Sequence, residues 1–135
     1  KNLHTWRFTV LTNQAEIQAL KELIAATAQR VGSFFFGYNN PQAVILVSND
    51  QRNPSSIQDS ACAVENILLA ATSFGLGATW INALRTICDE PEIRTKLDEY
   101  GIPQTHTVWS TIVLGWPAKE PKPIVKNPNV VHFVD

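Results

Sequence analysis

Apolar residues recur along this chain at two periods, and each change of period marks an element. In residues 6–11, Trp6, Phe8 and Val10 alternate with Arg7 and Thr9, the pattern of a half-buried strand. Asn13 with Glu16 then opens a helix, because a short polar side chain at the cap can accept from the first free N–H groups. Ile17, Leu20, Ile24, Ala28 and Val31 mark its single inward stripe, and Gly32 closes it. Residues 43–47 and 107–114 are near-continuous apolar runs and predict strands buried on both faces. Residues 50–55 are polar and read as a loop.

The longest apolar stretch, residues 56–84, organises the rest. Ser56 and Asp59 have the spacing of a capping box. Ile57, Ala61, Val64, Leu68 and Ala71 form one helical stripe, and Ala63, Ile67, Ala70 and Phe74 form a second on a neighbouring face. An amphipathic surface helix needs only one stripe, so two predict burial on most sides. The cover would be a partner subunit or an enclosed ligand; a plain core helix of a single chain is the alternative. Gly75 and Gly77 are expected to stop the helix, and residues 78–81 continue as a strand.

Beyond Leu84 the pattern predicts a turn and then a helix over 90–100, with Asp89 and Glu92 as a cap pair and Pro91 in its first turn. Ile93 and Leu97 face inward, and Gly101 closes the helix. After Gly115, Pro117, Pro121, Pro123 and Pro128 impose an extended tail, in which residues 130–134 could add a last strand. Residues 33–42 form a loop carrying Phe34, Phe35, Phe36 and Tyr38, which either docks on the core edge or covers a ligand. The alternation of strands and helices predicts a single α+β or α/β domain over residues 1–135.

Composition narrows the function. A hydrophobic fraction of 44% and a charged fraction of 17% fit one globular domain with a real core. A net charge of −1 gives no reason to expect nucleic acid or an anionic membrane as partner. No apolar run reaches the length of a bilayer span, and no signal-peptide pattern opens the chain. Cys62 and Cys88 lack the spacing of a disulfide framework or a metal site and read as reduced thiols of a cytosolic protein. The chain starts at Lys1, contains no Met and enters a strand almost at once, so a fragment, a processed chain or one missing its native beginning is expected.

Self-contained catalytic chemistry is hard to find. His4, His106 and His132 are far apart, with no Cys or carboxylate at ligand spacing. There is no G-x-S-x-G elbow and no P-loop. Gly75-Leu76-Gly77 lacks the third glycine of a dinucleotide fingerprint and follows a helix, not a strand. Residues 121–134 hold Lys122 and Lys126 and no acid before the last residue, so they either meet a phosphate or remain solvated. A chain with no evident acid, base, nucleophile or metal usually takes its chemistry from an organic cofactor.

Four stretches, in order, resemble the FMN-dependent nitroreductase family. Residues 2–8, Asn-Leu-His-Thr-Trp-Arg-Phe, resemble its N-x-Q-P-W-x-F segment, with His4 and Thr5 in place of Gln-Pro. Asn40-Pro41 and the run Val44, Ile45, Leu46, Val47 resemble its A-P-x-x-I-x-V strand. Residues 63–84 resemble its A-x-x-N-x-x-L-A-A-x-x-x-G-L-G helix, turn and flavin-contact strand, the most specific of the four. Leu114-Gly115-Trp116-Pro117 resembles its late L-G-Y/W-P, and Lys126 falls where the family places a basic residue near the FMN phosphate.

The resemblance implies an α+β fold with a central, mostly antiparallel sheet flanked by helices. It implies a homodimer with two FMN sites between the subunits. Trp80, Ile81, Asn82 and Ala83 would line one edge of the isoalloxazine ring, with backbone N–H groups near Asn82 and Ala83 bonding its N5 and O4 region. Asn2, with His4 in the same segment, would reach the flavin from the partner subunit, and Lys126 would neutralise phosphate. The implied reaction passes hydride from NAD(P)H to FMN and then electrons to a nitroaromatic or quinone, with no catalytic side chain. The family's R-R-S-x-R-x-F phosphate motif has no counterpart here, and Ile124 occupies a second basic position, so a weakened hold on phosphate is expected. Two other readings remain: a non-enzymatic dimer that binds a ligand or protein, and FMN chemistry directed to dehalogenation or flavin breakdown.

Overall fold

A computed structural model describes residues 4–35, 37–119, 122–126 and 130–134. Its elements run β1 (Arg7–Leu11), α1 (Gln14–Val31), β2 (Ala43–Asp50), α2 (Ser56–Ser73), β3 (Gly77–Ile81), α3 (Ala83–Ile87), α4 (Pro91–Glu99) and β4 (His106–Gly115). The strands form one sheet in the order β1-β2-β4-β3, and every neighbouring pair is antiparallel. The α+β expectation holds.

Side-chain alternation across β2 and β4 divides the core. Val44 and Leu46 pack with Leu20, Ile24, Leu97 and Val108 on the face covered by α1, α3 and α4. Val47 and Ile112 pack with Val64 of α2 on the other face. The pairing shifts between Val47, opposite Ser110, and Ser48, opposite Val108, so Trp109 is an extra residue in β4. Strand β2 runs on to Asp50, where a loop was expected, because its polar end is hydrogen-bonded. Ser48 Oγ lies 3.2 Å from His106 Nδ1, Asn49 donates to the Ser56 carbonyl at 3.3 Å, and Asp50 pairs with Arg52.

Helix α1 follows the sequence closely. Asn13 Oδ1 accepts from the N–H groups of Ala15 and Glu16, and Gly32 takes the left-handed cap at φ 70°. Only its last stripe position differs. Val31 is exposed, and the inward place goes to Thr27, whose hydroxyl donates to Glu92.

The expected capping box of α2 does not form. The helix already includes Ser56, so Ser55 is at the cap, and Asp59 accepts from Asn53 Nδ2 at 3.0 Å instead. Gly75 alone ends this helix, at φ 70°, with the Leu76 N–H closing onto the Ala71 carbonyl at 2.9 Å; Gly77 begins β3. Within one chain α2 is buried on one side only, at Val64 and Ala71. Ile57, Leu69 and Phe74 are exposed, so the two-stripe reading is not satisfied by this chain alone.

Three further expectations are corrected. The turn after Leu84 is helix α3, a single five-residue piece too short for a period to show. The cap of α4 is Glu90, with no side-chain bond; Asp89 is held by Arg94 at 2.9 Å and Glu92 by Arg30. Residues 130–134 form no strand and are exposed.

Candidate functional site

Among the described residues strand β3 is paired with β4 on one side only, so its outer edge presents backbone N–H and C=O groups without a strand partner. The loop over residues 33–42 lies along it. Both ends of that loop are fixed. The Ser33 N–H donates to the Ala28 carbonyl at 2.8 Å, and the Gln42 N–H donates to Leu114 of β4 at 2.7 Å. Between them Tyr38 is buried, edge-on to Phe35 with ring centroids 5.3 Å apart. Burial pushes its phenol well above the usual range, so it stays neutral.

A cleft runs between this loop and β3. It has two lobes that share Gly37, Asn39, Thr79 and Ile81. The first, of about 480 Å³, is walled by Phe34, Phe35 and Trp80 and closed by Asn82, Ala83 and Thr86. Ser33 Oγ and Thr86 Oγ1 sit 3.3 Å apart at its margin. Asn82 is the cap residue of α3, and its side chain makes no cap bond. The second lobe, of about 340 Å³, lies between Asn40, Pro41 and Gln42 on one side and Gly77, Gly115 and Trp116 on the other. Among the described residues neither lobe is lined by a charged side chain.

This chemistry suits a flat, neutral ring system. Aromatic and aliphatic walls cover faces, and an open strand edge followed by a helix start supplies backbone donors and acceptors for a polar rim. The isoalloxazine of FMN has that shape and that rim. The phosphate of FMN finds no cation in either lobe.

Of the residues expected at the cofactor, Trp80, Ile81, Asn82 and Ala83 come together in the first lobe. His4 does not join them; it is exposed at φ 46°, its ring 5.2 Å from that of Trp6. Lys126 lies exposed in the tail and lines neither lobe. Asn2 lies outside the described residues. Sequence reasoning missed Thr79, Asn39 and Gln42. The dipeptide Asn39-Asn40 before Pro41 was a turn signal that could have pointed to a shaped loop.

A separate apolar groove of about 500 Å³ runs between β1 and α2, lined by Trp6, Phe8, Cys62, Ala63, Ile67 and Ala70. Phe8 and Val10 on β1 are 48% and 58% exposed, and Leu69 and Phe74 at α2 are 60% and 75% exposed, more apolar surface than scattered single residues account for. Among the described residues no His, Cys, Asp and Glu cluster is arranged to hold a metal ion.

Comparison with known proteins adds a family to this geometry. Residues 1–116 match the Nitroreductase family. Two curated archaeal relatives have names that join NADH dehydrogenase with NAD(P)H nitroreductase. The one from Archaeoglobus fulgidus is 29% identical over 126 residues, covering 88% of this chain and 65% of its own length. The one from Methanothermobacter thermautotrophicus is 32% identical over 119 residues, covering 86% of this chain and 57% of its own length. The chain thus spans less than two thirds of either. Among solved structures, a Bacteroides fragilis nitroreductase with bound FMN superposes with a TM-score of 0.86 at 30% identity, over 100% of this chain and 80% of that one.

Proposed function

Because the chain belongs to the nitroreductase family, we propose that it is an FMN-dependent oxidoreductase, taking electrons from NAD(P)H and giving them to a nitroaromatic, quinone or similar acceptor. The observation that carries this reading is the first lobe, a cavity of about 480 Å³ that Trp80, Ile81, Asn82 and Ala83 line together with Phe34 and Phe35. The FMN bound by the Bacteroides fragilis relative supports it.

FMN, when bound, supplies the two-electron chemistry, and the chain supplies position and surroundings. Trp80, Phe34 and Phe35 would cover the ring and keep water from it. Backbone N–H groups at Asn82 and Ala83, at the start of α3, would be available to its polar rim and would favour the added negative charge of the reduced state. Thr79 and Ile81 line this lobe and the second one. Lys126, and Asn2 and His4 from a partner subunit, would complete the hold.

Homodimerisation is part of the proposal. The groove between β1 and α2, with Leu69 and Phe74 also exposed at that helix, supports a second copy pressed against α2. Among the described residues neither lobe is lined by a cation, which supports a second reading, a non-enzymatic dimer that keeps the fold and binds another ligand.

One experiment separates the two. The purified chain is titrated with FMN and with riboflavin, which lacks the phosphate, and the bound flavin is followed under NADH. Retention of FMN and loss of its absorbance under NADH are expected. Retention of neither flavin would remove the enzymatic reading and leave the binding module.

A further inference from the structure

Trp116 and the Asn40 and Gln42 carboxamides stand around the second lobe without any part in the ring slot, and Asn39 borders both. Trp116 is 74% exposed, immediately after β4. Asn39, Asn40 and Gln42 line the lobe with it. Asn40 holds φ 47° directly before Pro41, a left-handed turn conformation that asparagine tolerates. Gly77 and Gly115 also line it, and a Cβ added at either would make only ordinary contacts, 3.5 Å from the Gly115 carbonyl oxygen and 3.8 Å from the Gln42 nitrogen.

These features select a class of ligand. An exposed indole is a stacking platform for a heterocyclic base. A carboxamide offers a donor and an acceptor side by side, the match for the N6 and N7 edge of adenine. Without a charged side chain among its described lining residues, the lobe favours a neutral base over a phosphate. The two lobes share Gly37, Asn39, Thr79 and Ile81, so one ligand lying across β3 can enter both. A nicotinamide dinucleotide has that form, two flat heterocycles joined by riboses and a pyrophosphate.

We propose that the second lobe, between Trp116 and the Asn39, Asn40 and Gln42 carboxamides, is the subsite for the adenine of the dinucleotide donor. This rests on the functional reading above, in that the nicotinamide end must reach the first lobe.

The test uses AMP as probe and UMP, with the same phosphate and a smaller ring, as control, both titrated by calorimetry into the FMN-treated chain. AMP is expected to bind at least about fivefold more tightly than UMP. Trp116→Ala is expected to weaken AMP about tenfold, the scale of one lost base–aromatic stack, while Trp116→Phe retains most of the affinity. Gln42→Ala serves as a second variant if Trp116→Ala does not fold, and should also weaken AMP. In the unaltered chain, KM for NADH should lie about tenfold below that for reduced nicotinamide mononucleotide, at similar kcat. Equal KM values, or AMP bound no better than UMP by a chain that retains flavin, would overturn the subsite. A chain that binds AMP and retains no flavin would instead overturn the functional reading and leave the adenine site standing.

Discussion

Gly75 and Gly77 are two residues apart, yet substitution by alanine should move stability in opposite directions. Gly75 holds φ 70°, and a Cβ there would have nothing within 4 Å. Its penalty is therefore conformational rather than steric. An L residue in the left-handed region costs about 1–2 kcal/mol, and the reduced freedom of the unfolded chain returns about 0.4–1 kcal/mol of that. The net loss for Gly75→Ala is about 1 kcal/mol, or about 3–4 °C in Tm for a chain of this length. Gly75→Asn should lose less, because asparagine tolerates the left-handed conformation. Gly77 has no positive φ, and an added Cβ would meet the Gly115 carbonyl oxygen at 3.5 Å, an ordinary contact. Gly77→Ala should therefore gain about 0.5 kcal/mol, the usual cost of glycine inside a strand. Thermal unfolding followed by circular dichroism measures all three. Equal losses for both alanine variants, or no loss for Gly75→Ala, would refute the assignment of the helix stop to Gly75 alone.

Ala70 is exposed on α2 in the apolar groove, so Ala70→Arg should change the stability of one chain by less than about 0.5 kcal/mol while disrupting the proposed dimer. Sedimentation velocity should find the unaltered chain dimeric and the variant monomeric; a dimeric variant would count against pairing through α2. Phe35→Ala removes a half-buried ring from the cleft wall, for a stability loss of about 1–2 kcal/mol and a several-fold rise in acceptor KM. Unchanged acceptor kinetics would mean that the loop only docks on the core. Burial holds the pKa of His106 below its ordinary value, against the pull of Asp50, so the unfolded chain takes up the proton first. Its contribution to stability should be complete above about pH 6.5 and fall as the pH drops below that, levelling off under the folded-state pKa. Denaturant midpoints between pH 7.5 and 5 should decline, and His106→Asn should flatten that slope; an unaltered slope would dismiss this histidine as its source.

Long, strongly periodic segments were legible in the chain because burial repeats along them. The inward stripe of α1 as far as Ala28, Asn13 at its cap, and Ile93 and Leu97 of α4 all stand where their spacing put them. Cap assignments failed where several polar residues stood close together. Ser55 and Ser56 are equivalent as sequence, and only the tertiary bond from Asn53 to Asp59 decides which one begins the turn. The polar end of β2 was misread because Ser48, Asn49 and Asp50 find partners on β4, α2 and Arg52, none of which local pattern can foresee. The expectation that Trp80 to Ala83 lie at the cofactor came through resemblance, since nothing in their periodicity distinguishes them from an ordinary edge strand. The cleft itself depends on the loop at 33–42 meeting β3, a contact between segments about forty residues apart.

Strand β4 follows the other three described strands along the chain, yet it lies inside the sheet, between β2 and β3. Until His106 to Gly115 has emerged from the ribosome, β3 has no neighbour to bond and β2 is left with one bare side. The β1–β2 ribbon and the helices can gather before then, but the slot along β3 cannot take shape. A nascent chain halted before residue 106 should therefore be open to protease, whereas one released a few residues past 116 carries all four described strands. The sheet thus closes from the inside, and the cleft along β3 can form only after β4 has arrived.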